Sequence, residues 1–170
     1  VYCSASYATI KRLADENIPV IGHTGLIPSR ATWTGGFKAV GKTLETAELV
    51  WQQVKALEIA GAFGAEIEVV PSEIAAEISS RTNLFMISMG AGAGCDCQYL
   101  FSDDVLGQNR GHVPRHAKSY RNFAAEFDRL QEERIAAYAE FANDVRTGAY
   151  PARAHEVAVD AAVLGAFQSK

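Results

Sequence analysis

Four short hydrophobic stretches, each followed by polar or glycine-rich sequence, mark the first two thirds of the chain. They cover residues 18–23, 65–70, 84–89 and 98–102. Their length and their β-branched and aromatic residues favour buried strands, and buried parallel strands typically have nearly continuous hydrophobic sequences. We therefore predict four strands in a parallel sheet.

Amphipathic segments separate these strands and follow them. In the clearest segment, residues 43–60, Thr43 can cap a helix, apolar residues recur at three- and four-residue steps, and Gly61 can end the helix. Further helices are predicted over residues 7–17, 71–81, 122–146 and 154–167. The alternation of strands and helices indicates parallel βαβ units in an α/β fold.

Four strands are too few for a complete barrel. A (β/α)8 barrel typically has about 250 residues, whereas this chain has 170. An open parallel sheet of this size would leave two unpaired edges. We therefore interpret residues 1–121 as the βα units of a partial barrel. Residues 122–170 are interpreted as a helical segment that packs on the barrel or on a neighbouring subunit.

Composition and charge narrow the class of partner. The chain is 48% apolar and 21% charged, as is ordinary for a soluble protein, and its net charge is −4. That charge gives no electrostatic reason to expect nucleic acid or an anionic membrane as a partner. Three cysteines, an odd number, do not indicate a disulfide framework. No basic segment followed by an apolar one opens the chain, so we expect a cytoplasmic protein.

Polar residues follow the predicted strands, at the ends where parallel α/β folds place their sites. His23 lies between glycines at the end of the first strand, where it can contact a substrate; a turn histidine satisfied by the backbone is the alternative. Glu66 and Glu68 are two residues apart, so they share one face of the second strand. At least one of two such carboxyls should have a raised pKa, which suits a proton-transfer group.

Of these two carboxyls we favour Glu68 for that role, because it lies nearer the end of the strand. Glu66 could instead belong to a solvated edge or to a buried salt bridge. A histidine, carboxylates and backbone donors together suit proton abstraction next to a carbonyl group. The resulting enolate would be held by a metal ion or by hydrogen-bond donors.

Glycine-rich loops follow the first and the third strand. The first loop contains Gly36, Lys38 and Gly41, and we interpret it as a mobile lid over the site or, equally, as an ordinary solvated loop. In the second loop, residues 90–94 follow Ser88, and their backbone N–H groups could approach an anionic ligand.

Several motifs occur in the order found in one known family. Two motifs surround the first loop: residues 22–28 (GHTGLIP) are similar to G-H-x-G-L-x-P, and residues 35–42 (GGFKAVGK) are similar to G-G-[FY]-K-V-Q-G-[KR]. Two more lie around the second strand: residues 57–62 (LEIAGA) are similar to L-E-x-A-G-A, and residues 68–75 (EVVPSEIA) are similar to E-C-V-P-x-x-L-A. Near the C-terminus, residues 111–118 (GHVPRHAK) are similar to G-x-x-P-K-F-x-K, and residues 148–155 (GAYPARAH) are similar to G-x-[FY]-P-x-x-x-H. Together they resemble the ketopantoate hydroxymethyltransferase family.

The resemblance implies a (β/α)8 TIM barrel, of which this chain supplies about the fifth to eighth strands. It implies that His23 contacts a 2-oxo acid and that Glu68 is the catalytic proton-transfer residue. We expect Ser88, at the end of the third strand, to bind the substrate as well. The implied reaction transfers a hydroxymethyl group from the co-substrate 5,10-methylenetetrahydrofolate to 3-methyl-2-oxobutanoate, giving 2-dehydropantoate for pantothenate biosynthesis.

The resemblance also bears on the metal and on assembly. The family's Mg²⁺ ligands lie on the earlier strands, so no metal ligand is expected in this chain, and the isolated fragment should be inactive. Members of the family form homo-oligomers, and we expect one here.

Some positions differ from the family pattern and indicate a divergent branch. Glu66 is an extra carboxylate, Ser88 and Cys97 replace glycines, Asp103 replaces a histidine, and Ala39 and Val40 replace the V-Q of the lid. Two other functions stay open. One is another Mg²⁺-dependent enolate-forming barrel of the phosphoenolpyruvate mutase or isocitrate lyase type. The other is a non-catalytic paralogue that acts as a structural subunit.

Overall fold

A computed structural model describes the backbone of residues 1–170 and every side chain except those of residues 33 and 34. It contains two compact units, Val1–Arg121 and Asn122–Lys170. The first unit has, in chain order, helix α1 (Tyr7–Asp15), strand β1 (Ile21–Gly25), a 3₁₀ helix (Pro28–Thr34), α2 (Leu44–Ile59), β2 (Gly64–Glu68), α3 (Ser72–Ser80), β3 (Phe85–Met89), β4 (Cys97–Gln98) and α4 (Ser102–Leu106). The predicted α/β class is confirmed.

The strands of the described chain form one parallel sheet in the order β1-β2-β3-β4, which is also their order in the sequence. Strands β1 and β2 pair in register from Ile21 with Gly64 to Gly25 with Glu68. On the other side of β1, Tyr2 forms a single parallel bridge with Ile21. Since the strands are parallel, their carboxyl ends meet at one edge of the sheet.

Helices cover one face of this sheet. Side chains alternate between the two faces of a strand, and Ala65, Ile67 and Met86 point to the helical side, where each is 0% exposed. The helices contribute to the same core Ile10, Val50, Val54, Leu57, Ala75 and Ile78. Burying this apolar surface holds the helices to the sheet and fixes the direction of the side chains on the opposite face.

Helix α2 begins and ends as the sequence predicts. The Thr46 N–H donates to the hydroxyl of Thr43 (3.2 Å), and the Thr43 N–H donates to the hydroxyl of Thr46 (3.0 Å), which satisfies two free backbone donors. Gly61 adopts a φ of 80°, a left-handed conformation that suits glycine, and its N–H donates to the carbonyl of Glu58 (3.0 Å).

The second unit is helical. Helix α5 (Phe123–Thr147) begins after Asn122, whose side chain accepts a hydrogen bond from the Ala125 N–H (3.2 Å). A 3₁₀ helix (Arg153–His155) and α6 (Ala161–Gln168) follow. That this segment packs on a barrel or on a neighbouring subunit stays a prediction. None of the helices in the described chain is long and apolar enough to cross a membrane.

Two predicted elements are shorter in the structure. Strand β4 covers only Cys97 and Gln98. Just before it, the Met86 N–H of the neighbouring strand donates to the side chain of Asp96 (2.7 Å), and after it helix α4 begins at Ser102. The predicted strand over residues 98–102 is therefore wrong beyond Gln98. The last helix begins near Asp160, whose side chain accepts a hydrogen bond from the Ala162 N–H (2.7 Å), and not at residue 154.

Candidate active site

His23, Glu66 and Glu68 lie on the face of the sheet opposite the helices. In the parallel register, His23 is paired with Glu66 and Gly25 with Glu68. Glu66 and Glu68 share this face, as predicted, because they alternate with the core residues of β2. Both are buried, with 4% and 8% exposure. The register therefore gathers one imidazole and two carboxyls near the carboxyl ends of neighbouring strands.

His23 and Glu68 are in direct contact. Nε2 of His23 lies 3.0 Å from Oε2 of Glu68, and the two side chains are 6% and 11% exposed. The atoms are close without being aligned as a hydrogen bond, and Nε2 is a buried polar atom that has no hydrogen-bond partner among the described residues. Leaving such an atom unsatisfied costs about 1–3 kcal/mol. Nε2 is therefore available to a ligand oxygen.

Tyr2, which no sequence pattern indicated, contacts the other nitrogen of the same imidazole. Its hydroxyl lies 2.5 Å from Nδ1 of His23, and it is also close enough to the carboxyl of Glu66 for each group to affect the pKa of the other. Tyr2 reaches this position because its backbone pairs with Ile21 of β1. That pairing joins segments distant in sequence, so local periodicity could not reveal it.

The cluster raises the pKa of two of its members. Burial raises the pKa of Glu66 above its ordinary value of 4.5, and the negative charge of Glu68 adds to this, while His23 and the Tyr2 hydroxyl act in the opposite direction. Burial, followed by the charge of Glu66, raises the pKa of Tyr2. The raised pKa predicted for the carboxyl pair is therefore found on Glu66, and both groups favour their protonated forms.

An open pocket lies over this cluster. Its volume is about 350 Å³, which is enough for a small organic acid. Apolar and aromatic side chains surround the titratable groups, so the site is partly shielded from water. The lining residues are Tyr2, Ser4, His23, Ile27, Pro28, Ser29, Glu66, Glu68, Met89, Tyr99 and Phe101.

Ser88 is placed on the other face of the sheet. It is 0% exposed, and its hydroxyl donates to the carbonyl of Gly92 (2.7 Å) and accepts from the Ala91 N–H (3.3 Å). Both hydrogen bonds hold the glycine-rich turn after β3. The structure therefore does not bring Ser88 into the pocket beside His23, and its predicted contact with substrate finds no support in this arrangement.

The predicted lid loop lies next to the end of β2 without reaching the pocket. Gly36 and Lys38 are not among the described residues that line it. Gly41 is buried against α3 and the residues before it, and the neighbouring Val40 N–H donates to the carbonyl of Val69 (3.1 Å). This hydrogen bond holds the loop next to the residue that follows Glu68. The action of the loop as a lid stays a prediction.

The backbone on both sides of Glu68 is tightly constrained. Val69 has a φ of 49°, a left-handed conformation that is strained for a β-branched residue. Its N–H donates to the carbonyl of Met89 (2.8 Å), and the Leu26 N–H donates to the carbonyl of Glu68 (2.9 Å). These bonds fix the direction in which the Glu68 side chain leaves the strand.

A metal ion is another chemistry to test at this cluster. One ligand atom from each of His23, Glu66 and Glu68 lies within 4.8 Å of the others. Mg²⁺ prefers a near-octahedral set of oxygen ligands that includes several waters, whereas an imidazole with two carboxylates is a donor set typical of transition metals. The imidazole makes this set a better match for a transition metal than for Mg²⁺, and the expectation that the Mg²⁺ ligands lie outside this chain stays a prediction.

The fold and the site define a class of protein. The chain is an α/β protein with a buried histidine–carboxylate pair at the carboxyl edge of a parallel sheet, an arrangement suited to proton transfer on a small ligand that carries a carbonyl.

The chain belongs to the ketopantoate hydroxymethyltransferase family, whose family model matches residues 3–153. Relatives named 3-methyl-2-oxobutanoate hydroxymethyltransferase occur in Nitratidesulfovibrio vulgaris (37% identical over 160 residues, 94% of this chain and 50% of the relative), Dehalococcoides mccartyi (38% over 155 residues, 91% and 53%) and Pyrobaculum islandicum (41% over 152 residues, 89% and 55%). The chain thus spans about half the length of the curated relatives it matches.

Proposed function

We propose that this chain supplies the proton-transfer half of a 3-methyl-2-oxobutanoate hydroxymethyltransferase. The observation that carries the proposal is the 3.0 Å contact between His23 Nε2 and Glu68 Oε2 in a pocket at the strand ends. The relatives have that enzyme's name and align with nearly the whole chain.

Glu68 is the base in this proposal. It removes the proton from C3 of 3-methyl-2-oxobutanoate, the carbon next to the 2-oxo group, and leaves an enolate. The carboxylate is suited to this because it is buried at 8% exposure, and its charge is neutralised when it takes up the proton. Water hydrolyses the methylene bridge of 5,10-methylenetetrahydrofolate, which breaks its two C–N bonds and gives formaldehyde and tetrahydrofolate. The enolate carbon then attacks the formaldehyde carbon, and the resulting alkoxide takes up the proton held by Glu68 to give 2-dehydropantoate.

His23 binds the 2-oxo acid. Its Nε2 is the buried atom without a hydrogen-bond partner among the described residues, and an oxygen of the substrate would satisfy it. The contact would place the acidic C3–H next to Glu68, because the two side chains are already adjacent. Positioning of this kind accounts for a large share of the rate enhancement in many enzymes.

The chain would form the C-terminal half, about strands 5 to 8, of a (β/α)8 barrel. Neighbouring strands in the sheet are also neighbours in the sequence, as in a barrel wall. Aromatic residues such as Phe85, Tyr99 and Phe101 are exposed, and a second set of strands would cover them. We expect Mg²⁺ ligands on that other half, where Mg²⁺ would polarise the 2-oxo group.

The lid loop and the C-terminal helices have roles outside the proton-transfer step. The loop containing Gly36, Lys38 and Gly41 would close over the bound folate, since a hydrogen bond holds it beside the residue that follows Glu68. Helix α5 exposes Phe127, Leu130 and Ile135 on its surface, and we expect these side chains to pack on the barrel or to join subunits of a homo-oligomer.

Two measurements test this function. The full-length protein, supplied with Mg²⁺, 3-methyl-2-oxobutanoate and 5,10-methylenetetrahydrofolate, should form 2-dehydropantoate, whereas the isolated chain should not. In D2O without folate, the full-length protein should exchange the C3 proton of the 2-oxo acid for deuterium, which NMR detects.

The outcomes separate the remaining alternatives. Exchange without hydroxymethyl transfer, together with turnover of another acid, would favour an enolate-forming enzyme of the phosphoenolpyruvate mutase or isocitrate lyase type. Neither exchange nor transfer would favour a structural paralogue. Clear turnover by the isolated chain would contradict the proposal that the other half is needed.

A further inference from the structure

The imidazole of His23 is contacted on both of its nitrogens by titratable groups. Nε2 faces Glu68 at 3.0 Å, and Nδ1 faces the Tyr2 hydroxyl at 2.5 Å. The Tyr2 hydroxyl in turn interacts with the carboxyl of Glu66, since each group affects the pKa of the other. The four groups therefore form a chain in the order Glu66, Tyr2, His23, Glu68, of which the family role assigned above uses only the last two.

Tyr2 is held in this chain by its backbone. The Cys3 N–H donates to the carbonyl of Ile21 (2.9 Å), and the Ile21 N–H donates to the carbonyl of Val1 (2.8 Å). These bonds are those of a parallel strand pair, so Tyr2 is fixed beside β1 in the same way as a strand residue. The contact between Tyr2 and His23 is therefore built by the sheet and does not depend on a flexible side chain alone.

With a neutral His23, the supply of hydrogens allows two arrangements of this chain. A tyrosine hydroxyl has one hydrogen, and a neutral histidine has a hydrogen on one ring nitrogen only. If Tyr2 donates to Glu66, Nδ1 must hold the hydrogen and donate to Tyr2, which leaves a lone pair on Nε2. If Glu66 is protonated and donates to Tyr2, Tyr2 donates to Nδ1, and the hydrogen of His23 is on Nε2.

The environment selects the second arrangement. In the first, the Nε2 lone pair would face an oxygen of Glu68 at 3.0 Å, and two acceptors at that distance repel each other unless Glu68 is itself protonated. In the second, an N–H faces that carboxylate. The second arrangement also leaves one negative charge on the two buried carboxyls in place of two. Burial favours this lower charge, because it raises the pKa of Glu66 although the Tyr2 hydroxyl acts in the opposite direction.

We propose that Tyr2 and Glu66 are positioning residues that hold His23 in the tautomer with its hydrogen on Nε2, so that a hydrogen-bond donor faces the pocket. As a consequence, an N–H faces the carboxyl of Glu68, and an oxygen of the 2-oxo acid would meet the same donor. The role in substrate binding rests on the function proposed above, whereas the tautomer itself does not.

NMR of the imidazole nitrogens of the full-length protein, labelled with ¹⁵N-histidine, tests the tautomer directly. His23→Asn identifies the resonances of His23 by their loss. In the unsubstituted protein we expect a protonated Nε2 and an unprotonated Nδ1. Tyr2→Phe removes the donor to Nδ1, and we expect the His23 resonances to shift toward a mixture of both tautomers.

Two variants of Glu66 provide a rescue test. The side-chain amide of Glu66→Gln can donate to Tyr2 as a protonated carboxyl does, so this variant should retain the tautomer, whereas Glu66→Ala should lose it. Tyr138→Phe changes an exposed tyrosine of α5 and should leave the resonances unchanged. In kinetics, Tyr2→Phe should raise KM for the 2-oxo acid about tenfold, corresponding to about 1.4 kcal/mol, with a smaller effect on kcat.

The proposal is overturned if His23 of the unsubstituted protein is protonated on Nδ1 or on both nitrogens, or if Tyr2→Phe leaves its resonances in place. Because the tautomer is measured without substrate, a protein that lacks hydroxymethyl transfer can still satisfy this test, which separates the two failures.

Discussion

Gly25 lies directly opposite Glu68 in the paired strands β1 and β2, and its lack of a side chain leaves room for the Glu68 backbone. A Cβ atom at this position would overlap the carbonyl oxygen of Glu68 and would lie 2.8 Å from Cγ2 of Val70. Gly25 also has a φ of 81°, which other residues rarely adopt. The position of the proposed base thus depends on a glycine in the neighbouring strand.

Gly25→Ala should therefore lower both stability and turnover. We expect the free energy of unfolding to fall by about 1–3 kcal/mol, as for other overpacked sites, because the two strands must separate locally. Turnover of the full-length protein should fall as well, since Glu68 moves with its backbone. Urea unfolding and the hydroxymethyl transfer assay measure the two effects.

Gly148→Ala is the matched control for this substitution. Gly148 has a φ of 75°, but a Cβ atom there would meet no atom of the described residues within 4 Å. The variant therefore incurs the conformational cost without the overlap. If both variants lost the same stability and neither lost turnover, the close approach of Gly25 to Glu68 would have no functional importance.

Glu68→Gln should abolish most of the proton transfer. The amide keeps the size of the side chain but cannot accept the C3 proton, and loss of a general base typically costs about 10²–10⁴-fold in rate. Deuterium exchange at C3 in the full-length protein is the measurement. Glu48→Gln, at an exposed position of α2, is the control, and equal exchange rates in the two variants would rule out Glu68 as the base.

Ser88→Ala separates a structural role from a role in substrate binding. Its hydroxyl makes two hydrogen bonds to the turn after β3, so we expect the variant to lose about 1–3 kcal/mol of stability. KM for the 2-oxo acid should not change, because the side chain lies on the face away from His23. A large increase in KM with unchanged stability would restore the substrate-binding role predicted for Ser88.

Glu66 and Glu58 should make the free energy of unfolding change with pH in opposite directions. The pKa of Glu66 is raised, so its folded form binds the proton more tightly than the unfolded form. Its contribution to stability is present below about pH 4.5, the ordinary carboxyl pKa, and is lost as the pH rises through the folded pKa. Glu66→Gln should therefore raise the free energy of unfolding, relative to the unsubstituted protein, by more at pH 7 than at pH 4.

Glu58 provides the contrast within the same fold. A hydrogen bond from Lys55, and then one from the backbone of Asn83, lower the pKa of Glu58. Its contribution is present above its unfolded pKa and is lost as the pH falls through the folded value. Glu58→Gln should therefore lower the free energy of unfolding at pH 7 and change it less at low pH. Urea midpoints at the two pH values measure both variants, and parallel profiles would contradict the assigned directions.

Local sequence patterns were sufficient to predict much of the sheet and its helices. Periodicity located β1 to β3 and α2, and the two-residue spacing placed Glu66 and Glu68 on one face, because both depend on neighbours in the sequence. The limits of the last helix were missed, since the cap at Asp160 competes with a continuous apolar pattern.

The composition of the site could be predicted only in part, for a physical reason. Whether His23 meets Glu68 depends on the register of two strands, which no single segment encodes; the glycines and the family resemblance made the pair a reasonable expectation. Tyr2 enters the site through pairing with Ile21, and Ser88 leaves it because its hydroxyl serves a nearby turn. Both outcomes are set by long-range packing and local hydrogen bonds together.

The left-handed backbone at Val69, next to Glu68, has a consequence for how this protein can be improved. A non-glycine residue in such a conformation costs about 1–3 kcal/mol, and asparagine tolerates it better than valine does. Val69 also packs against the hydrophobic core, so asparagine would relieve the backbone strain but lose that packing. Heat resistance at residue 69 therefore depends on which is larger, the backbone strain beside the proposed base or the packing that the valine provides.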